Sequence, residues 1–156
     1  MHTIIVGGGR IGIFLAKRLL QEKHVVVIIE KIQEIANEVA RVVEALVING
    51  EGCEPAVLQH AGAENADVVV ALTGKDEDNF IICQIAKEKF KVHRTIARVN
   101  DPENERAFNE LGVDVPIGAT VIRGLGRTMT IDAQGYEPVD ALRRQGGHLI
   151  LSLTRG

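Results

Sequence analysis

The sequence predicts an α/β protein, a doubly wound parallel sheet of about six strands with helices on both faces. Three observations lead there. Short aliphatic runs rich in β-branched residues recur at 3–6, 24–29 and 67–72, apolar on both faces as strands buried in a parallel sheet are. Between them lie segments whose apolar residues repeat at helical spacing. The first run also leads directly into a glycine-rich turn that opens the first of those helices.

The elements follow in order. After the strand at 3–6, a helix over 10–22 gathers Ile11, Leu15 and Leu19, with Ala16 and Leu20, on one stripe, while Lys17, Arg18, Gln21 and Glu22 fall largely elsewhere. The strand at 24–29 is followed by a helix over 32–43 with Ile32, Ile35, Ala36, Val39, Ala40 and Val43 as its inner face. A weaker strand at 45–48 precedes a short helix that starts at Pro55, a residue suited to a first turn, and stops near Gly62. The strand at 67–72 leads to a helix over 78–89 that is expected to bury Ile81, Ile82, Ile85 and Ala86, and then to a strand at 94–99. Asp101 can cap a helix beginning at Pro102, with Glu103 and Glu105 near its positive end. A run at 113–117 completes the alternation, which predicts right-handed crossovers in an open sheet. Beyond it the sequence suggests a helix at 119–129, a helical piece at 139–144 and a strand at 148–153.

Composition narrows the function. With 156 residues, 46% hydrophobic and 25% charged, the chain suits one compact domain and excludes a large two-domain enzyme. Eighteen basic against 21 acidic residues leave a net charge of −3 with the signs interspersed, and aromatic residues make up 3%, so nucleic acid is not an expected partner. The longest apolar runs, 25–29 and 68–72, fall far short of the about 20 residues a membrane-spanning helix needs. Met1 is followed almost at once by Ile4-Ile5-Val6 without a charged leader, and Cys53 and Cys83 do not suggest a disulfide framework; a reducing, cytosolic setting is the expectation.

The strongest chemical signal is Gly7-Gly8-Gly9-Arg10-Ile11-Gly12, which fits G-x-G-x-x-G between a strand and a helix, with Glu30 at the end of the second strand about 20 residues on. In this Rossmann-like arrangement Gly7 makes the tight turn, Gly9 lets backbone N–H groups approach a pyrophosphate, and Gly12 packs helix on strand. The helix N-terminus offers free donors and partial positive charge to phosphates. Glu30 would accept from ribose hydroxyls and repel a 2′-phosphate, which disfavours NADP, although the neighbouring Lys31 softens that effect. Arg10 either meets a phosphate or points into solvent. Arg98 interrupts an apolar strand, where a phosphate, an acidic partner or an internal salt bridge would account for it.

Together with Asn49-Gly50-Glu51-Gly52, the run 61–74, Asp78-Asn79, Thr95-Ile96-Ala97-Arg98-Val99 and Leu111-Gly112-Val113-Asp114, these residues resemble the nucleotide-binding domain of regulators of potassium conductance, the RCK or KTN domain of Trk/Ktr-type potassium-uptake regulatory subunits. The likeness covers residues 1–123, leaving 124–156 as an extension suited to a dimer-forming helix and strand. The resemblance implies NAD(H), or alternatively ATP/ADP, bound in a cleft at the carboxyl ends of the strands. It implies assembly as a homodimer or larger ring, and gating of an integral membrane potassium channel or transporter from the cytoplasmic face of the membrane. It also implies that Gly50 and Glu51 lie beside the adenine, that Thr73 and Gly74 line the cleft beyond the fourth strand, and that Arg98 reaches the phosphates, with Asn49 and Asn79 also counted among the cofactor-binding residues. Pro116-Ile117-Gly118-Ala119 lacks the acid that members often carry there, so no nucleotide-linked metal is expected at that position.

The alternative is the cofactor domain of an NAD-dependent oxidoreductase. Hydride transfer needs a substrate pocket and an acid/base group, and the sequence provides no clear His or Lys for that role, so the expectation is a protein that is not an enzyme. Other features have plainer explanations. Acids at 76–78 suit a helix's first turn, His24, His93 and His148 sit at strand starts, Cys53 has no histidine spaced to activate it, and Cys83 belongs to the core.

Overall fold

A computed structural model of the chain describes residues 1–118. Its elements run β1 (His2–Val6), α1 (Arg10–Gln21), β2 (Val25–Glu30), α2 (Gln33–Val42), β3 (Leu46–Asn49), α3 (Pro55–His60), β4 (Val68–Ala71), α4 (Asp76–Glu88), β5 (Arg94–Val99), α5 (Glu105–Glu110) and β6 (Val115–Gly118), with single 3₁₀ turns at Ala63–Asn65 and Pro102–Asn104. The helices, strands and turns expected at 119–129, 139–144 and 148–153, and the extension 124–156, lie outside the described residues.

The strands form one parallel sheet in the order β3-β2-β1-β4-β5-β6. The chain winds outward from β1 to β3, returns through α3, and winds outward the other way from β4 to β6. The connections after β1 and β4, which are neighbours, therefore leave in opposite directions, and a crevice opens between them at the carboxyl edge. The register brings Val6 beside Ile29 and Ala71, Glu30 beside Asn49, and Ala71 beside Ala97. The strand ends thus form a common rim.

Alternate strand residues serve opposite faces, so each strand builds two cores. Ile4, Val6, Ile29, Val69, Ala71, Ala97 and Val99 pack with Leu58, Ile82, Cys83, Ala86 and Phe90 on the α3 and α4 side. Ile5, Ile28, Val68, Val70 and Ile96 pack with Leu15, Ala16, Leu19 and Val39 on the α1 and α2 side. This explains why β1, β2 and β4 read as largely apolar runs.

Several local expectations shift. Helix α4 begins at Asp76, two residues before the expected start, because Asp76 is anchored by a loop distant in sequence. Ile81 is 42% exposed and Ile32 is 45% exposed, so neither lies on its helix's inner face; Ile32 precedes α2 as its N-cap. The segment opened by Pro102 starts with a 3₁₀ turn, in which the Asn104 N–H donates to the Asp101 carbonyl, while the Asp101 side chain accepts from Glu103 N–H as a cap should. The last strand begins at Val115 because Val113 turns into the α4-side core and Asp114 is held by Thr95 and Lys87.

Candidate functional site at the carboxyl edge

Three glycines of the β1–α1 turn are fixed by the protein itself. Gly7 donates its N–H to the Ile29 carbonyl at 2.8 Å and has φ +116°, and a Cβ there would lie 3.1 Å from the Leu72 carbonyl. A Cβ on Gly12 would fall 2.1 Å from the Gly7 oxygen, so the contact that requires this glycine is with the turn's own carbonyl. Gly8, between the motif positions, is buried; a Cβ there would lie 2.9 Å from Val39 Cγ2. Gly9 differs. Its backbone is extended, with φ −69° and ψ −175°, and a Cβ would meet no atom within 4 Å. Nothing in the fold demands glycine there. Arg10 is exposed on the first residue of α1, whose first turn holds no acid, and Ile11 is half-buried behind it.

The next stretch of rim is tied by Glu30, which is 8% exposed. Its Oε2 accepts from Gly8 N–H at 2.7 Å and its Oε1 from Ile32 N–H at 2.9 Å, so the carboxylate clamps the glycine turn to the start of α2. Each oxygen keeps one further lone pair. Asn49 Nδ2 donates to the carbonyls of Glu30 and Lys31 at 2.9 and 3.1 Å, joining the ends of β3 and β2, and Gly50 N–H adds a bond to the Glu30 carbonyl at 3.1 Å. Lys31 itself is exposed. Glu51 Oε1 accepts from Cys53 N–H at 3.2 Å. Gly52 brings this turn across the end of β1, where a Cβ would stand 2.4 Å from Val6 Cγ1. Motif spacing marks neither Gly8 nor Gly52.

On the other side of the crevice, Asn79 is fully buried and its amide is saturated. Oδ1 accepts from Thr73 N–H at 2.9 Å and Thr73 Oγ1 at 2.6 Å, while Nδ2 donates to the carbonyls of Thr73 and Arg98 at 3.0 and 2.8 Å. An Asn side chain has two donors and two acceptor positions, so Asn79 shapes the rim through Thr73 and the end of β5. Gly74 beyond it is exposed, with no atom within 4 Å of a Cβ.

Asp76 performs a related task that dipole reasoning missed. Oδ1 accepts from Asn100 N–H at 2.6 Å and Asn100 Nδ2 at 3.0 Å, and Oδ2 from Asp101 N–H at 2.9 Å and Asn104 Nδ2 at 2.8 Å. Burial by itself would raise this carboxyl, but the bonds from Asn100, Asn104 and Asp101 outweigh it and hold the group below its ordinary value. The partners lie more than 20 residues away in sequence, and no local pattern announces them.

Arg98 stands half-buried near the end of β5, beside Ile117 of β6. Its Nε is buried without a hydrogen-bond partner, and among the described residues Arg98 enters no ion pair. Among the described residues, then, no salt bridge accounts for it. The other orphaned side-chain atoms among the described residues, His2 Nε2 and Thr3 Oγ1, belong to the opposite end of β1.

The strand order, the glycine turn at the crevice and the acid clamping it define a Rossmann-type domain. The TrkA-N domain pattern matches residues 3–119, and the chain belongs to the TrkA-N domain family. Among related proteins, a Trk system potassium uptake protein TrkA homolog from Methanothermobacter thermautotrophicus is 40% identical over 114 residues, covering 73% of this chain and 52% of that protein. A homolog of the same description from Pyrococcus abyssi is 36% identical over 155 residues, covering 96% of this chain and 68% of that one. The chain thus spans about half the length of the first relative and about two thirds of the second. Among solved structures, the TrkA-N domain of the inner membrane protein ybaL from Escherichia coli superposes with a TM-score of 0.70 at 23% identity, over 81% of this chain and 92% of that one. The GsuK channel bound to NAD gives 0.70 at 22% identity over 85% of this chain and 24% of that one, and GsuK bound to ADP gives 0.70 at 23% over 83% and 34%. At these identities the structures share the fold.

Proposed function

We propose that this chain is the nucleotide-binding part of a regulatory subunit for a membrane potassium channel or transporter, with NAD(H) as its ligand and ATP/ADP as the alternative. The observation that carries the reading is Arg98, a half-buried cation whose Nε has no partner in the fold, near the carboxyl edge where this architecture receives ligands. A phosphate would supply the missing acceptor. Gly9 supports the same fit, because the room its Cβ would take is the room a pyrophosphate needs beside the α1 N-terminus.

In this proposal the amides of Gly9, Arg10, Ile11 and Gly12, with the Arg10 and Arg98 side chains, hold the phosphates, while Gly7, whose own N–H is taken by the Ile29 carbonyl, shapes the turn that presents them. The free lone pairs of Glu30 receive ribose hydroxyls, and its carboxylate, already fixed by two amides, disfavours the 2′-phosphate of NADP despite the nearby Lys31. Asn49, Gly50 and Glu51 flank the adenine; Thr73 and Gly74 border the second half of the cleft, with Asn79 as a positioning residue. The names of the relatives, potassium uptake proteins, and of the neighbours, a channel bound to NAD or ADP, support regulation over catalysis.

Regulation requires that ligands bind two states of the assembly with different affinities. The assembly proposed is a homodimer or larger ring in which residues 1–123 form the sensing domain and 124–156 contribute to contacts between copies, docked on the cytoplasmic face of its membrane partner. Calorimetric titration of nucleotide-free protein with NAD, NADH, ATP, ADP and NADP tests the binding step. Micromolar binding of NAD(H) or an adenine nucleotide, with NADP weaker, is the expected result; flat titrations throughout would overturn the proposal.

A further inference from the structure

Three side chains of metal-ligating type converge where the β3–α3 turn meets the first turn of α4. Glu51 and Cys53 come from the turn and Asp78 from the helix; one ligand atom of each lies within 4.8 Å of the other two, and all three residues are half-buried. Each is unremarkable in the sequence, an acid and a thiol after a glycine turn and an acid in a helix's first turn. Only the fold makes them neighbours.

The cluster is built, and among the described residues no cationic side chain pairs with it. Gly52, between the two turn residues, is seated against Val6, and Cys53 N–H is held by Glu51 Oε1 at 3.2 Å, which fixes the turn against the sheet. Cys53 Sγ lies 3.8 Å from the Asp78 main-chain oxygen, so thiol and helix start are in contact. Among the described residues neither Glu51 nor Asp78 takes part in an ion pair. Two half-buried carboxylates therefore face each other and a thiol with no cationic side chain between them, an arrangement that a bound cation would relieve. Without one, burial and then the charges of Asp78 and Glu51 push the thiol up to about 12, so Cys53 is a protonated, inert thiol instead of a nucleophile.

We propose that Glu51, Cys53 and Asp78 form a binding site for a zinc-class divalent cation, with one sulfur and two oxygen donors and a fourth position open to water. A thiolate donor selects against magnesium and calcium, which prefer all-oxygen sites, and a four-coordinate ion with three protein ligands is a common arrangement for zinc. Bonds of about 2.3 Å to sulfur and 2.0–2.2 Å to oxygen require the three side chains to close slightly around the ion. Binding replaces the S–H bond of Cys53 with a metal–sulfur bond and releases its proton to solvent, one proton per ion. Glu51 is shared with the adenine side of the proposed nucleotide site, whereas Cys53 and Asp78 are assigned no nucleotide contact, so readouts on Cys53 in nucleotide-free protein test the metal site separately from the nucleotide reading.

Titration of the full, metal-free chain with Co²⁺ tests it. The expected result is about one ion per chain with a near-ultraviolet thiolate-to-cobalt charge-transfer band that Zn²⁺ abolishes by displacement and Mg²⁺ and Ca²⁺ leave intact. Cys53→Ser should remove the band and Cys83→Ser should keep it, since Cys83 is buried in the core. Asp78→Asn should weaken Co²⁺ binding at least ~10-fold, no less than the loss of an outer-shell partner costs. Mass-spectrometric mapping of thiol alkylation on the wild type gives a readout independent of variant folding: Zn²⁺ should protect Cys53 from slow alkylation. A missing band, a band that survives Cys53→Ser, or unprotected Cys53 at saturating Zn²⁺ would each overturn the site.

Discussion

Arg98 and Gly9 separate binding from folding better than any other positions on the rim. Because Arg98 Nε has no hydrogen-bond partner and Arg98 enters no ion pair among the described residues, Arg98→Ala should leave thermal stability close to wild type. It should weaken nucleotide binding by about 10- to 150-fold, the equivalent of ~1.5–3 kcal/mol for a hydrogen bond to a charged group. Gly9→Ala makes the same point from the backbone. The residue is extended and its Cβ meets nothing, so stability should change by no more than about 1 kcal/mol, the cost of altering an N-cap. Nucleotide binding should nevertheless fall. Calorimetry paired with thermal melts checks both variants, and a loss of stability matching the loss of binding would contradict the assignment. Asp76 is the residue to follow with pH. Its folded carboxyl is held below the ordinary value, so its contribution is complete above the unfolded carboxyl range and is lost as pH falls through the folded value. Asp114 behaves alike: burial alone would raise it, but Lys87 and Thr95 bring it below its ordinary value. Unfolding free energy should therefore decline below about pH 4, and Asp76→Asn should flatten part of that decline while lowering stability at neutral pH.

At the scale of elements, α1 and the β1–α1 turn stand or fall together. A Cβ at position 12 would overlap the Gly7 carbonyl, backbone against backbone, and neither can move without pulling α1 off β1. Gly12→Ala should cost about 3 kcal/mol or more, as overpacking does where no flexible side chain can yield, and chemical denaturation should show it as a lower midpoint. Gly12 and Gly9 belong to one sequence motif, yet one is required by the fold and the other is free of it. The same division governs what could be read from the sequence. The strands β1, β2 and β4 were legible because both their faces are buried, which makes them largely apolar, and the helices were legible where one stripe faces a core. Ile32 broke that pattern because helical spacing alone does not fix where a helix starts, and Ile81 because the buried face of α4 runs through Asn79, Ile82, Cys83 and Ala86. The strand-end positions of Glu30, Thr73 and Arg98 follow from the alternation of elements. Hidden from any linear pattern were the contacts that close the rim: Asp76 with Asn100 and Asn104, Asn79 with Arg98, and Asp78 with Glu51 and Cys53. Each joins residues that only the winding of the sheet brings together.

For the whole molecule, the rim has a thermodynamic consequence that does not depend on identifying the membrane partner. Glycine turn, Glu30 clamp, Asn79 bracket and Arg98 come from separate parts of the chain, so the arrangement exists only in the folded state. A ligand that needs all of them has no comparable site on the unfolded chain and must stabilise the fold by mass action. At a free concentration 100 times Kd the gain is about 2.7 kcal/mol, which raises Tm by several degrees for a domain of this size. NADH should produce that shift, NADP a smaller one because Glu30 opposes its extra phosphate, and Arg98→Ala should abolish most of it at the same NADH concentration. Wild type and Arg98→Ala should melt together without ligand, so the comparison isolates the ligand's contribution. If NADH, NAD, ATP and ADP all left the wild-type Tm unchanged at millimolar concentration, the unpartnered Nε of Arg98 would need another explanation and the chain would act as an assembly domain without a nucleotide.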